Sequence, residues 1–279
     1  MRVIVLERKN RSDSASSVVI GFVLLLILAA AVLGIWAATG LPAQMKEQDE
    51  HTFRELERSF LQYKLAVDTL RVQNSCGAVT GILFPDTKGI TFRVTADTGG
   101  RLRITTDDDF GNTTICRIGK VSLRFSGMSG LNADISYEAG GVHIKSGGND
   151  PAWITPALMQ ISPIDQRTVR VEIVVISFAE DAEISGSGHL PVTLALRESE
   201  TKTLYWKDNA TIQFHSPDAK QQELWETVFF ETKGRAANNA ITQPDSLTLR
   251  LEIPGNTTPS EILLRKAVYE TGPAEILYA

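Results

Sequence analysis

The sequence predicts a mainly β protein: an N-terminal transmembrane helix continuing into an amphipathic stalk helix, then an antiparallel β-sandwich-like ectodomain with one short helix. Three observations predict it. Residues 18–38 form an unbroken apolar run, the segment after it repeats apolar residues every three or four positions, and beyond Asn74 the period drops to two. They divide the chain into a basic leader (1–17), a membrane span (18–38), a stalk (43–73) and a β-rich region (76–279).

At about 1.5 Å per residue, a helix over the apolar run matches the hydrocarbon core of a bilayer. Arg2, Arg8, Lys9 and Arg11 precede it against Glu7 and Asp13, whereas Lys46 follows it against Glu47, Asp49 and Glu50. The excess of basic residues predicts a cytoplasmic N-terminus and an ectodomain outside the cell. A cleaved secretory signal is the rival, but its apolar core is ordinarily about 7 to 15 residues, shorter than this one.

Of the 279 residues, 43% are apolar and 22% charged, as in an ordinary folded protein. A net charge of -5, with no dense basic cluster beyond the leader, argues against nucleic-acid binding, which needs cations to displace phosphate counterions. Cys76 and Cys116 are the only cysteines. An even pair in a predicted extracellular segment is open to bridging, and two buried thiols are the alternative. Sequons at Asn112, Asn209 and Asn256 fit an exterior location as N-glycosylation candidates.

After Gly40 and Pro42 the helical pattern resumes, about Ala43 to Gln73, with Phe53, Leu56, Phe60, Tyr63, Val67 and Leu70 on one stripe. Two readings stand: packing against the chain's own domain, or helix-to-helix packing between subunits. Pro42, lacking an amide donor, is expected to kink or interrupt the passage from membrane to stalk.

Alternation then marks strands, clearest at Val121, Leu123 and Phe125 and at Leu247, Leu249, Leu251 and Ile253. Gly99-Gly100 and Gly140-Gly141 read as turns between strands. The run Ile173 to Ile176 predicts a central strand covered on both faces. Pro217 to Phe230 reads as the short helix, with Ser216 as cap and Leu224, Trp225, Val228 and Phe229 on one face. The proline-bearing stretch Ser146 to Ser162 is expected to link two strand sets divided near 146–165.

Motifs for chemistry are sparse. His51, His143, His189 and His215 have no metal-binding spacing and read as surface or structural histidines, so neither metal nor cofactor is expected. SGMSG and SGSGHLP are not nucleophile elbows. Asp107, Asp108 and Asp109 lack the EF-hand spacing and read as a solvated acidic hairpin. No catalytic residue emerges, and no enzyme is expected.

The order of features resembles archaeal type IV pilin-like surface proteins with a class III signal peptide. The resemblance rests on SVVIGFVLLL at Ser17 to Leu26, GLPAQMKEQDE at Gly40 to Glu50, ISYEAGGV at Ile135 to Val142, and the Trp225 helix. It implies that a prepilin peptidase cuts between Arg11 and Ser12, leaving the apolar helix to anchor the subunit or pack with like subunits or envelope proteins. The chain departs from the pattern in lacking an acidic residue among Ser14, Ala15, Ser16 and Ser17, which favours a minor pilin-like or simply anchored protein. The expected function is therefore that of a single-pass, non-enzymatic surface protein at the bilayer. The rival is a membrane-tethered ligand-binding or hydrolytic ectodomain with a pocket among loops such as Gly186 to His189.

Overall fold

A computed structural model describes residues 12–74, 76, 79–84, 92–107, 112–164, 168–186, 190–235, 241–253 and 259–273. One helix, α1 (Ser12–Gln73), spans both the predicted membrane segment and the predicted stalk. It runs through Pro42 without a break, contrary to the expected interruption. The proline costs the bond its amide would have made to Ala38, but the turns on either side are intact. From Val19 to Thr39 every side chain is exposed, whereas Leu56, Phe60, Tyr63, Val67 and Leu70 are buried and Phe53 packs beside them. The stripe is thus occupied by the chain's own domain, and the intersubunit reading loses its surface.

The domain is two sheets. The first has the order β1 (Val79–Phe84), β10 (Leu190–Trp206), β14 (Ser260–Pro273), β8 (Val169–Phe178), β7 (Met159–Pro163). The second runs β12 (Ile241–Asp245), β13 (Thr248–Glu252), β11 (Asn209–His215), β2 (Phe92–Thr106), β3 (Thr113–Ser126), β4 (Asn132–Glu138), β5 (Gly141–Ser146), β6 (Ala152–Thr155), with β9 (Ala182–Gly186) also on β2. Pairing is antiparallel except between β14 and β8.

Several expected boundaries move. Gly99-Gly100 is not a turn but a bulge inside β2, where the register against β3 shifts between Thr98 and Gly100. Residues 146–162 are not a plain linker: they contain β6 in one sheet and β7 in the other. Strands from both sides interleave, β2 with β9 and β11, β1 with β10, so the two strand sets expected on either side of 146–165 do not separate.

Two apolar cores result. The first surrounds the buried stripe of α1 and takes Val121, Leu123 and Phe125 from β3. The second lies under the other helix, α2 (Ala219–Arg235), and takes Cys116 and Ile118 from the opposite face of β3. β8 serves both, Val174 and Ile176 facing the first core and Val171, Ile173 and Val175 the second, which is why its apolar residues run on without alternation. β3 and β8 cross at Gly119, where a Cβ would come 2.9 Å from the Ser177 Cα, so only glycine permits this approach.

Cys76 and Cys116 are both free, against the bridged alternative: Cys76 is exposed just beyond α1, and Cys116 is buried in the second core. The fold thus keeps one thiol at the surface and the other inside the second core.

Candidate functional site

Cross-strand register builds a polar surface on the face of β3 that continues from Cys116 and Ile118. Asp97, Lys120 and Glu138 form one row across β2, β3 and β4. Thr95, Ser122, Ser136, His143 and Trp153 form the next, reaching β6. Arg124, Asp134 and Lys145 form a third. Above these rows stands the first turn of α2, and between them lies a cleft of about 350 Å³.

The wall is held by a buried carboxylate. Glu138 is fully buried, and accepts Trp225 Nε1 at 2.9 Å and Gln221 Nε2 at 2.6 Å. Its donors are neutral, and burial, partly offset by these two bonds, raises its pKa above the ordinary value. The contact joins the ISYEAGGV segment to the Trp225 helix, two stretches noted separately in the sequence. Trp225 also stacks on Phe214, centroids 4.4 Å apart, fixing the helix on the sheet.

The β4–β5 connection is a two-residue hairpin, with Glu138 paired to Gly141 and both Ala139 (φ 47°) and Gly140 (φ 81°) in the left-handed region. Such a turn matches the twist of its strands, and Gly140 adopts it freely. Leu158 N donates to the Ala139 carbonyl at 2.8 Å, clamping the less favourable Ala139 in place.

Ser216 does not cap α2. Asp218 does: its carboxylate accepts Lys220 N at 2.9 Å, while its carbonyl accepts Gln222 N at 3.1 Å, opening the helical ladder. Ser216 Oγ is instead buried 2.6 Å from Gln221 Oε1 and 3.1 Å from the Gly99 carbonyl, tying the helix start to the β2 bulge. A Cβ at Gly99 would fall 2.6 Å from Gln221 Nε2 and push that side chain off the Glu138 carboxylate.

His143 closes the floor of the cleft. It is 5% exposed, its ring meets Trp153 edge-on with centroids 5.2 Å apart, and neither ring nitrogen has a hydrogen-bond partner. Glu138 Oε2 stands 3.9 Å from Nε2, beyond bonding distance. Burial first, and then the charge of Lys120, push its pKa down to about 3, so the ring is neutral, with one donor and one acceptor unused.

A second contact fastens α1. Asp49, fully buried, accepts Met128 N at 3.1 Å and Ser129 N at 2.6 Å in the β3–β4 hairpin. At Gly127 a Cβ would overlap this carboxylate. SGMSG, dismissed as a serine site, is therefore the loop that grips the helix. It leaves Met128, 55% exposed, in a recess shared with Pro42 and Met45, just past the apolar span.

The other named positions do not converge. Ser12 is the first residue of α1, and Arg11 lies outside the described residues, as do Asn256, Asp108, Asp109 and Ser187 to His189 of the proposed pocket loop. Asn112 is exposed at the entry to β3; Asn209 is half-buried at the start of β11. Asp107 is a turn anchor, accepting the amides of Lys207 at 3.1 Å and Asp208 at 3.0 Å. His51 and His215 are exposed. No group of three metal-ligating side chains occurs among the described residues.

Sequence reasoning missed the cleft. A threonine, two serines and a histidine scattered over four strands become neighbours only through register, and no local motif signals that. No curated protein and no solved structure matches the chain. A family model does, over residues 15–262, and the chain belongs to that family, DUF7289, a family of unknown function.

Proposed function

We propose that the chain is a non-enzymatic, single-pass cell-surface protein of pilin-like design, anchored by the first half of α1 and presenting its β-rich domain outside the cell. The supporting observation is the helix itself. One element of 62 residues is apolar and wholly exposed from Val19 to Ala38, yet supplies the middle of a packed core from Leu56 to Leu70. An apolar helix bare on every side needs a solvent of its own, either lipid or like helices. Because Asp49 and the core stripe grip the second half, the domain is held close to that solvent without an intervening flexible linker.

The basic leader puts the N-terminus on the cytoplasmic side. Cleavage at Arg11-Ser12 would start the mature chain at the first residue of α1. The proposal is tested on protein recovered from native membranes, by alkaline extraction with determination of the N-terminal residue and intact mass. Retention in the membrane with a start at Ser12 supports the pilin-like reading, and a start at Met1 supports a plain anchor. A start beyond Ala38, or release by alkali, overturns both.

A further inference from the structure

We propose that the cleft over β2–β5 is a binding site for a hydroxylated monocarboxylate, the chemistry of an acidic sugar. Two features of the cleft point to a ligand. It is of the size of one or two sugar rings, and its lining sets hydroxyls beside charges of both signs.

The lining selects the chemistry. Its floor is Thr95, Ser122 and Ser136, hydroxyls that both donate and accept. Arg124 is matched by Asp134 across the strands, and Lys220 by Asp150 and Glu223. Lys120, between Asp97 and Glu138 in the register, and the exposed Lys145, beside Asp134, both line the cleft and are the cations open to an anionic group. Asp97 and Asp218 face the same space and accept from hydroxyls. These carboxylates disfavour a compact dianion such as phosphate, the lysines disfavour an ammonium, and the polar floor disfavours an apolar ligand. A ring bearing hydroxyls and one carboxylate satisfies all of them. Lys120 lines the cleft beside Glu138 of its wall, and its ammonium would meet the ligand's carboxylate there.

The test uses the full chain in detergent micelles, so it does not depend on how the helix is anchored in the cell. D-glucuronate is the probe, with glucose and inorganic phosphate as comparisons, followed by ligand-observed NMR and by tryptophan fluorescence, since Trp153 touches His143. Saturable binding in the millimolar range or tighter is expected for glucuronate, at least about tenfold weaker for the other two. Lys120→Met should weaken it by about tenfold or more, while Lys46→Met, on exposed α1, leaves it unchanged. Should Lys120→Met fold poorly, Lys145→Met on an exposed strand position carries the same expectation. Absence of saturable glucuronate binding, equal binding by the lysine variants, or phosphate or glucose binding as tightly would each overturn the proposal.

Discussion

The two cores of the domain are each closed by a helix, and each closure turns on a buried carboxylate that meets neutral donors rather than a cation. At α1 the carboxylate belongs to the helix: Asp49 takes two backbone amides of a hairpin. At α2 it belongs to the sheet: Glu138 takes two side chains of the helix. The difference lies beyond the carboxylate. Around α1 the next polar groups turn inward, Tyr137 donating to Asp68 at 3.1 Å and Tyr269 to the Val67 carbonyl at 2.7 Å. Around α2 the next group, His143, has no partner and borders a cleft. The first arrangement fixes a long helix to a domain; the second leaves a buried, unpaired imidazole beside an open cleft.

The largest effect should come from emptying the first core. Phe60→Ala removes a fully buried ring from the helix stripe and is expected to cost about 3–5 kcal/mol. Leu28→Ala, on the same helix but 66% exposed, should leave the domain's unfolding unchanged. Denaturant unfolding of the full chain in micelles, followed by tryptophan fluorescence, reads both. Equal losses would mean that the two halves of α1 are not divided as described.

Acid should separate the two cores next. His143 is neutral in the fold with its pKa pushed down to about 3, whereas in the unfolded chain it takes a proton near about 6.5. Below that value the unfolded state binds more protons, so stability is lost as pH falls from about 6.5 towards about 3, at up to about 1.4 kcal/mol per pH unit. Glu138 has the opposite sign. Its folded pKa is raised, so its contribution is present at low pH and lost as pH rises through the folded value. Lys120 and Asp218 are the other charges acting on the histidine, the first opposing its protonation and the second favouring it. His143→Phe should flatten the acid limb of the stability profile; an unchanged limb would remove His143 as its source.

How far this contrast could be read in advance depended on the range of the signal. The α1 stripe and the doubly covered strand at Ile173 to Ile176 were legible because helix and strand periods are local. The middle of β2 was not: Gly99-Gly100 carries the composition of a turn, and only pairing with β3 turns it into a bulge. Asp49 looked like one more acidic residue after the membrane span, and nothing local tells that Gly127 makes room for it from the far end of a hairpin. His143 read as a surface or structural histidine. Its burial was within that expectation, but its unpartnered nitrogens depend on four strands and a helix converging.

Isosteric amides then compare the two carboxylates directly. In Asp49→Asn and Glu138→Gln one oxygen becomes an NH₂ facing a donor, so each loses a bond and crowds a proton, at about 1–3 kcal/mol. Their local signatures should differ. Asp49→Asn is expected to raise amide hydrogen exchange at Met128 and Ser129, and Glu138→Gln in the first turns of α2, around Gln221 and Trp225. Exchange rising in both places for either variant would show that the two closures are one cooperative unit.

The smallest effect concerns the cysteines, and it probes whether the end of α1 is linked covalently to the second core. A bridge over the roughly 40 residues between them would add about 4 kcal/mol by the chain-entropy model. With Cys76 exposed and Cys116 buried under α2, both as free thiols, reductant should not shift the melting temperature. Cys76→Ser should stay within about 0.5 kcal/mol of the parent, as surface substitutions do. Cys116→Ser should cost more than Cys76→Ser, because it puts a hydroxyl into an apolar core without an assigned partner. Equal losses in the two serine variants, matched by the loss in reductant, would be the mark of a bridge; unequal losses with no response to reductant leave the cores joined by packing alone, through the shared faces of β3 and β8.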